Sequence, residues 1–388
     1  MGDVKRKIEA VMTAEGKSGQ SALERILRAG SVLYGAGVRL KNTGYDKGLL
    51  AGKELPCRII SIGNIVAGGT GKTPMTIYLA TMLRQMGHRV VILSRGYGGR
   101  AEKTGIVVSD GYEILCEPEV AGDEPFMMAS KSRGVPVLVG GDRYKSGMRA
   151  ISEFDPDTIL LDDGFQHRRL RRHLDLVLVD AENMLGNGYL MPRGVLREPA
   201  SALKRSGAII FTRCKDGCEA PAQAMMARMA SITAQNRIGL REKPVFRTDH
   251  APFLSGIHDG AAPFPVAVLP ENTGADFALL ARSNVFVFSG IARNGDFLTV
   301  VEQHAGRIVG HRDFLDHHRY TDAECREIMA HAVSAGADFL ATTEKDYVRI
   351  AGRMPGDRPI AVIGVNIVFK GADESRFVRF IRQTLTDA

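Results

Sequence analysis

The feature that most constrains the fold of this chain is a glycine-rich loop between an apolar run and an amphipathic segment. Residues 59–62 read Ile-Ile-Ser-Ile, and residues 63–74 read Gly-Asn-Ile-Val-Ala-Gly-Gly-Thr-Gly-Lys-Thr-Pro. The run predicts a buried strand, and apolar residues at spacings of three and four after Pro74 predict a helix that ends near Gly87. A strand, a turn closed by Gly-Lys-Thr and a helix, in this order, are the parts of a phosphate-binding loop.

Such a loop binds phosphate groups through its backbone. Glycines let N–H groups turn towards phosphate oxygens, the lysine adds a positive charge, and the threonine hydroxyl can ligate Mg²⁺. The general pattern G-x-x-x-x-G-K-[ST] places a glycine where Val66 stands, and we expect Gly63, Gly68 and Gly69 to supply the same backbone freedom. A surface turn that contains Gly-Lys-Thr by chance is the alternative, but the flanking strand and helix favour a nucleotide site.

Composition narrows the class of protein without choosing a partner. The chain has 388 residues, enough for two domains, and its 51 Lys and Arg against 44 Asp and Glu give a net charge of +7. This excess suits an anionic partner: nucleic acid, a phosphorylated small molecule or an anionic membrane surface. Five scattered cysteines without zinc-site spacing fit a reducing cytoplasm. We expect neither a signal peptide nor a bilayer-spanning helix.

Alternating apolar runs and helical stretches predict the fold class. Short continuous apolar runs separated by helices are typical of a parallel sheet covered on both faces, so we expect an α/β, P-loop NTPase-like fold. Ligands in such folds bind at the carboxyl ends of the strands. The predicted strands are 58–62, 90–93, 136–139, 158–161, 176–179 and 208–211.

Changes in composition and hydrophobic periodicity along the chain predict its domains. Residues 1–20 form a polar N-terminal extension without an assigned role, and residues 21–250 form the P-loop core. We place a hinge at 243–253, which holds two prolines and little periodicity, and a smaller C-terminal α/β domain at 251–388. Further predicted elements are a helix at 219–236, strands at 284–288, 338–342 and 359–363, and helices at 321–335 and 373–385.

The core opens with a basic amphipathic segment. Ser21 and Glu24 have the spacing of a helix capping box. Such a helix can lie in a membrane interface with its arginines towards anionic headgroups, or it can pack on the core of its own protein, and the sequence leaves both open. Its apolar residues are Leu23, Ile26, Leu27, Leu33, Tyr34 and Val38, and its basic residues are Arg25, Arg28, Arg39 and Lys41.

Two acidic segments carry side chains suited to phosphoryl transfer. The predicted strand at 158–161 ends in Asp162 and Asp163, which beside a phosphate-binding loop favour a magnesium site over an ordinary turn. The sequence Gly-Asp-Glu-Pro at 122–125 offers two carboxylates just before a helix. Taken alone it favours a helix N-cap over a general base.

Two further segments are rich in titratable or basic residues. Residues 314–320 contain Asp316 beside His317 and His318, which can tune a catalytic base but in isolation indicate a solvated loop. The run at 166–173 is basic and is either a solvated face or, so close to Asp162 and Asp163, a segment that pairs with phosphates. Its lack of interleaved aromatic residues weakens a nucleic-acid interpretation.

Taken in order, these segments resemble the tetraacyldisaccharide 4'-kinase family of lipid A biosynthesis. The resemblance covers most of the chain from about Leu33 onward, and the displaced glycine of the loop is normal for the family. The motifs that carry it are GN…GGTGKTP at 63–74, SRGYGG at 94–99, GDEP at 122–125, DDGFQH at 162–167, REP at 197–199, FSGIA at 288–292, DH at 316–317 and TTEKD at 342–346.

The resemblance implies a P-loop kinase that uses ATP and Mg²⁺ to phosphorylate the 4'-hydroxyl of a tetraacyldisaccharide 1-phosphate, giving lipid IVA. It places the catalytic aspartate at Asp123 and its partner at His317, which reverses the N-cap interpretation of residues 122–125. It places Mg²⁺ at Thr73, Asp162 and Asp163, and Lys72 on the β/γ oxygens of ATP. The residues that it implies around the ATP phosphates are Val66, Ala67, Gly68, Gly69, Thr70, Gly71, Lys72 and Thr73. Weaker candidates for substrate contacts are Arg95, Arg197 and His167.

The resemblance also implies where the protein works. Each CH₂ group of an acyl chain exposed to water costs about 0.8 kcal/mol, so a substrate with four acyl chains stays in the bilayer. We therefore expect a peripheral protein on the cytoplasmic face of the bacterial inner membrane, docked through residues 23–38. No nucleic-acid partner is expected, and the oligomeric state stays open.

Two alternative functions stay open from the residues alone. One is a P-loop ATPase or GTPase, although no convincing N-K-x-D guanine motif is present. The other is a non-catalytic nucleotide-binding module at the membrane surface. We also expect Asp123 and His317 to lie in different lobes that close when substrate or nucleotide binds.

Overall fold

The computed structural model describes residues 8, 11–12, 21–215, 224–227, 229, 243–259 and 277–386. The predicted extension at 1–20 and the predicted helix at 219–236 lie largely outside these residues. The helices are α1 (Ala22–Asp46), α2 (Lys72–Gln85), α3 (Pro118–Ala121), α4 (Asp123–Lys131), α5 (Arg143–Phe154), α6 (Asn294–His304), α7 (Asp322–Ser334), α8 (Glu344–Ile350) and α9 (Asp373–Thr386). The strands are β1 (Arg58–Gly63), β2 (Val90–Ser94), β3 (Ile106–Ser109), β4 (Val137–Val139), β5 (Thr158–Asp162), β6 (Leu174–Asp180), β7 (Ala208–Thr212), β8 (Val245–His258), β9 (Asn284–Ser289), β10 (Arg307–Asp313), β11 (Phe339–Thr343) and β12 (Ile360–Phe369).

The chain divides into two compact units, each assembled from separate stretches of sequence. The first unit comprises residues 1–75, 157–250 and 367–388, and the second comprises residues 76–156 and 251–366. This division differs from the predicted contiguous domains at 21–250 and 251–388. Within the second unit, its two stretches are joined by ion pairs such as Lys131 with Glu344, which explains why they group together.

The first unit contains a parallel sheet with the order β5-β1-β6-β7-β8. Four of its strands, β1, β5, β6 and β7, are continuous apolar runs predicted from the sequence, and they are buried along almost their whole length. Burial on both faces is the reason that these strands read as continuous rather than alternating apolar runs. The predicted α/β fold with a mostly parallel sheet is therefore confirmed.

The second unit contains two sets of paired strands. In one set β4 pairs in parallel with β2 and antiparallel with β3. In the other set β9 lies between β10 and β11, and β11 pairs with β12, all in parallel. The apolar core around this second set includes Phe288, Ile328, Leu340 and Ile350.

Most of the predicted hinge at 243–253 belongs to strand β8, and the boundary between the two units, at 250/251, lies within it. Residues Val245–Arg247 pair with β7, and the Thr248 hydroxyl donates to the Phe211 carbonyl at 3.0 Å. The two prolines of the segment lie outside the residues paired with β7, so they remove no hydrogen bond from that ladder. Pairing with the neighbouring strand β7 thus stabilises an extended conformation that the local sequence did not indicate.

Helix α1 has two apolar faces with different surroundings. Ser21 caps it, with its Oγ accepting from the Glu24 N–H at 3.2 Å, as predicted. One face, with Leu27, Ser31 and Gly35, is buried in the first unit, where the Ser31 hydroxyl donates to the Leu190 carbonyl at 2.7 Å. Another face leaves large apolar side chains exposed: Ile26, Leu33 and Leu40. One face of the helix therefore packs on the core of its own protein, and Leu27 and Leu33 belong to different faces.

Helix α1 is long, but it is not a transmembrane segment. Among the described residues, no helix combines the length and the hydropathy needed to cross a bilayer.

Candidate active site

The phosphate-binding loop lies between β1 and α2, in the first unit. Gly68 and Gly71 have φ angles of +112° and +82°, which residues with a side chain rarely adopt. Val66 needs no such freedom, because it forms an antiparallel bridge with Leu196. The Ala67 N–H donates to the Val195 carbonyl at 2.7 Å. The displaced glycine thus has a physical reason: at Val66 the chain is extended and paired.

Side chains from neighbouring strand ends hold the carbonyl groups of the loop. The Thr212 hydroxyl donates to the Thr70 carbonyl at 3.1 Å, and Arg213 Nη1 donates to the Gly69 carbonyl at 2.9 Å. Asn64 Nδ2 donates to Thr70 Oγ1 at 2.8 Å. With carbonyl groups held in this way, the loop has the arrangement expected when its N–H groups face a phosphate.

A cluster of charges lies at the start of α2. Lys72 Nζ is 3.7 Å from Asp163 Oδ1, and Arg197 Nη1 donates to both Asp163 oxygens at 3.0 and 2.8 Å. Asp163 therefore pairs with two cations that a triphosphate would also attract. Its carboxylate holds the Lys72 and Arg197 side chains on the same side of the unit as the phosphate-binding loop.

The other acid, Asp162, ends strand β5 and is buried. It lies opposite Ile62 of β1 in the sheet register, and β1 runs directly into the phosphate-binding loop. Thr73, in the first turn of α2, is also buried. A hydroxyl and a carboxylate are the hard oxygen ligands that Mg²⁺ prefers, so these residues fit that ion. The described residues hold no group of three or more His, Cys, Asp or Glu side chains placed to bind a metal.

In the second unit, two of the sequence motifs pack together backbone to backbone. A Cβ atom on Gly99 would lie 2.6 Å from the N atom of Gly122, and one on Gly122 would lie 2.9 Å from the Tyr97 carbonyl oxygen. Gly122 also has a φ of +88°. Only glycines allow this approach, which places Tyr97 and the start of α4 side by side.

The structure brings Asp123 and His317 together in the second unit. His317 Nδ1 is 3.1 Å from Asp123 Oδ2, and the Tyr97 ring meets the His317 ring edge to face with centroids 5.6 Å apart. The expectation that Asp123 and His317 lie in different lobes is wrong, because both belong to the second unit. Helix α8 contacts α4 there and joins the two stretches of chain.

Two cations from α8 surround the Asp123 carboxylate. Arg349 Nη2 donates to Asp123 Oδ2, and Lys345 Nζ pairs with the neighbouring Glu124 at 2.6 Å. Burial opposes ionisation of Asp123, but the hydrogen bond from His317 and the charges of Arg349 and Lys345 outweigh burial. Together they hold the pKa of Asp123 well below its usual range, so the carboxylate is ionised at neutral pH.

Sequence reasoning missed the roles of Lys345 and Arg349. The TTEKD motif at 342–346 was visible and belongs to the resemblance, yet nothing local indicated what its side chains contact. Spacing on a short helix would have placed Lys345 and Arg349, four residues apart, on one face. Only the packing of α8 shows that this face meets Asp123.

The weaker substrate candidates are divided between the units. Arg95 belongs to the second unit, where it pairs with Glu102 and is largely exposed. His167 and Arg197 belong to the first unit, and of these Arg197 contacts Asp163.

Comparisons with known proteins agree with the motif pattern. The family model described as tetraacyldisaccharide-1-P 4'-kinase matches residues 23–386. A tetraacyldisaccharide 4'-kinase of Desulfatibacillum aliphaticivorans is 37% identical over 387 residues, which is 99% of each chain. A protein of the same name from Syntrophus aciditrophicus is 39% identical over 335 residues, which is 86% of each chain.

A solved structure has the same fold. The crystal structure of LpxK from Aquifex aeolicus, described as in complex with ATP, is similar with a TM-score of 0.71 and 30% sequence identity. The similarity covers 94% of this chain and 99% of the other.

Proposed function

The chain belongs to the tetraacyldisaccharide-1-phosphate 4'-kinase family, and we propose the residue roles by which it acts. The reaction is transfer of the γ-phosphoryl group of ATP to the 4'-hydroxyl of a tetraacyldisaccharide 1-phosphate, giving lipid IVA. The solved relative described as an ATP complex supports ATP as the donor. The names of the relatives favour this kinase over an ATPase, a GTPase or a non-catalytic module.

The first unit supplies the nucleotide site. The backbone N–H groups of residues 68–73 hold the phosphates, since the Ala67 N–H is already paired with the Val195 carbonyl. Lys72 neutralises charge on the transferred group. Asp163 keeps Lys72 and Arg197 in place until a triphosphate attracts them. Thr73 and Asp162 would hold Mg²⁺, which when bound supplies charge to offset that of the phosphate oxygens.

The second unit supplies the group that receives the proton. Asp123 accepts the proton of the 4'-hydroxyl while the hydroxyl oxygen bonds to the γ-phosphorus of ATP. The bond between the γ-phosphorus and the β–γ bridging oxygen breaks, and ADP leaves. A strongly ionised aspartate is a weak base, but phosphoryl transfer relies mainly on positioning and on charge stabilisation. Asp123 therefore serves chiefly to orient the hydroxyl, and His317 fixes the orientation of Asp123.

One observation carries these catalytic roles: the hydrogen-bonded pair of Asp123 and His317 at 3.1 Å. It supports a base that is held in place rather than a simple helix cap. Transfer from labelled ATP to a tetraacyldisaccharide 1-phosphate in detergent micelles, with magnesium, tests the roles. Asp123→Asn should lower turnover on the order of 100-fold or more while ATP still binds. Undiminished turnover in that variant would refute the role of Asp123.

We also propose that α1 holds the enzyme on the cytoplasmic face of the bacterial inner membrane. Ile26, Leu33 and Leu40 follow one another at intervals of seven residues and expose 68, 76 and 77% of their surface. Residues seven apart lie on one side of a helix. Arg25, Arg28 and Arg39 flank this stripe on the same helix, where they can meet anionic headgroups.

A further inference from the structure

Two sequence motifs have no role in the mechanism so far, and in the structure they meet around one buried acid. The FSGIA motif at 288–292 ends strand β9, and the TTEKD motif at 342–346 joins strand β11 to helix α8. Asp346 lies where they meet, and it is completely buried. A buried carboxylate needs several hydrogen bonds or a cation to be tolerated.

Asp346 has both. It accepts hydrogen bonds from the Gly290 N–H at 3.1 Å, the Tyr320 hydroxyl at 3.0 Å and the Thr343 hydroxyl at 2.7 Å. Arg349 Nη1 completes the set at 3.0 Å from Asp346 Oδ1. Burial and the neighbouring Asp346 carboxylate raise the pKa of Tyr320, so its hydroxyl stays a donor. Asp346 is therefore a fixed anchor and faces no solvent.

Arg349 connects this anchor to the catalytic pair. Nη1 also donates to the Gly290 carbonyl at 3.0 Å, whereas Nη2 donates to Asp123 Oδ2. Nη2 is also 3.4 Å from His317 Nδ1. Since a guanidinium group only donates, a proton on Nδ1 finds its acceptor in Asp123 and not in Arg349. The planar guanidinium thus has one nitrogen on the anchor and the other on the catalytic acid.

We infer that Arg349 is a positioning residue for phosphoryl transfer, which holds Asp123 Oδ2 from the Asp346 anchor and thereby presents Oδ1 to the acceptor hydroxyl. The inference rests on the proposed role of Asp123. Both contacts that fix the carboxylate, from Arg349 and from His317, fall on Oδ2. A carboxylate held by one oxygen in this way keeps the other in a defined direction.

The charged groups around Asp123 come from three elements. Arg349 and Lys345 approach from α8, His317 from the segment after β10, and Glu124 follows Asp123 in α4. Removing the Arg349 charge should raise the pKa of Asp123, because a neighbouring cation favours the ionised form. The acid limb of the pH–rate profile should then move to higher pH, which a purely structural role would not cause.

The test measures kinase turnover with labelled ATP and the disaccharide substrate in micelles, for Arg349→Met and Arg349→Lys. We expect Arg349→Met to lower kcat on the order of 100-fold, with the KM for ATP within about twofold, because small misplacements of a catalytic group have effects of this size. Lysine should restore only part of the loss, since it cannot reach Asp346, Gly290 and Asp123 with a planar fork. The matched control is Arg353→Met, since Arg353 pairs with Asp322 at the surface.

A double-variant cycle separates this inference from the proposed function. If Arg349 acts through Asp123, adding Arg349→Met to Asp123→Asn should change kcat by less than about threefold. Full activity of Asp123→Asn would overturn the proposed base and the inference with it. If Asp123→Asn loses turnover but Arg349→Met has the same kcat as the control Arg353→Met, the inference about Arg349 is overturned and the role of Asp123 stands.

Thermal unfolding would reveal a folding defect in Arg349→Met. In that case two further measurements would test the positioning role of Arg349. Tyr320→Phe removes one donor from the Asp346 anchor and keeps Arg349, so it should lower kcat by a smaller factor without moving the acid limb. Guanidinium ion added at millimolar concentration to Arg349→Ala should restore part of the turnover. Absence of both effects would overturn the inference.

Discussion

The exposed stripe of α1 gives the most direct test of how this kinase meets its membrane. The perturbation is the triple substitution Ile26→Ser, Leu33→Ser and Leu40→Ser. Because these side chains expose 68, 76 and 77% of their surface, they contribute little to the folded protein, and their replacement should leave the unfolding temperature nearly unchanged.

The magnitude follows from the exposed apolar surface. Complete burial of a leucine or isoleucine side chain stabilises by about 1.5–3 kcal/mol. With roughly three-quarters of each side chain available, insertion into the headgroup and acyl boundary is worth about 1–2 kcal/mol per residue, or about 3–6 kcal/mol for the stripe. Each 1.4 kcal/mol is a factor of ten, so we expect the triple variant to lose at least about 100-fold in partition onto vesicles.

The assay is cosedimentation with vesicles that contain anionic phospholipid, at several salt concentrations. The matched control replaces three exposed apolar residues outside α1: Leu279→Ser, Val333→Ser and Val368→Ser. These residues expose 59, 40 and 48% of their surface, so the control removes less apolar surface than the α1 variant. Equal loss of vesicle binding in both variants would show a general effect of hydrophobicity. Vesicle binding by the α1 variant at the wild-type level would refute the reasoning.

Three further predictions test the two units. Lys72→Met should abolish phosphoryl transfer and weaken ATP binding, as titration with a fluorescent ATP analogue would show; unchanged affinity would contradict the contact with phosphate. Asp123 has a folded-state pKa below its unfolded value of about 3.9, so its contribution to stability is complete above about pH 5 and fades as pH falls towards the folded pKa. Denaturant unfolding should therefore show a gap between wild type and Asp123→Asn that narrows from pH 6 to pH 3, and a constant gap would contradict this. Gly63→Ala would place a Cβ atom 2.6 Å from that of buried Phe165, and it should cost about 1–3 kcal/mol of unfolding free energy.

The phosphate-binding loop was predictable because its chemistry is local. Backbone N–H groups, a lysine and a threonine within one strand, turn and helix suffice to bind phosphate, so a continuous stretch of sequence carries the signal. The parallel sheet was predictable for a similar reason, since continuous apolar runs such as 158–161 and 208–211 mark strands buried on both faces. In both cases the residues that matter are neighbours in the chain.

The catalytic pair was reached only through resemblance to a family. The four residues at 122–125, judged by themselves, favour a helix cap; α4 begins at Asp123, but its N-cap is Gly122 and no side chain caps it. Nothing near Asp123 in sequence indicates that His317 and Arg349 lie against it. Strand β8 within residues 243–253 was missed for a related reason, since pairing with β7 outweighs local propensity there.

By itself the sequence determined that this chain folds as an α/β protein with a nucleotide-binding loop, because strand, turn and helix propensities act over short distances. Only the tertiary structure decided that residues 76–156 group with 251–366, and that Arg349 joins the buried Asp346 to Asp123. The contact between Arg349 and Asp123 links residues 226 positions apart, and charged side chains in a buried site are arranged by packing and mutual neutralisation. No local sequence pattern predicts which charged side chains will form ion pairs in the folded protein.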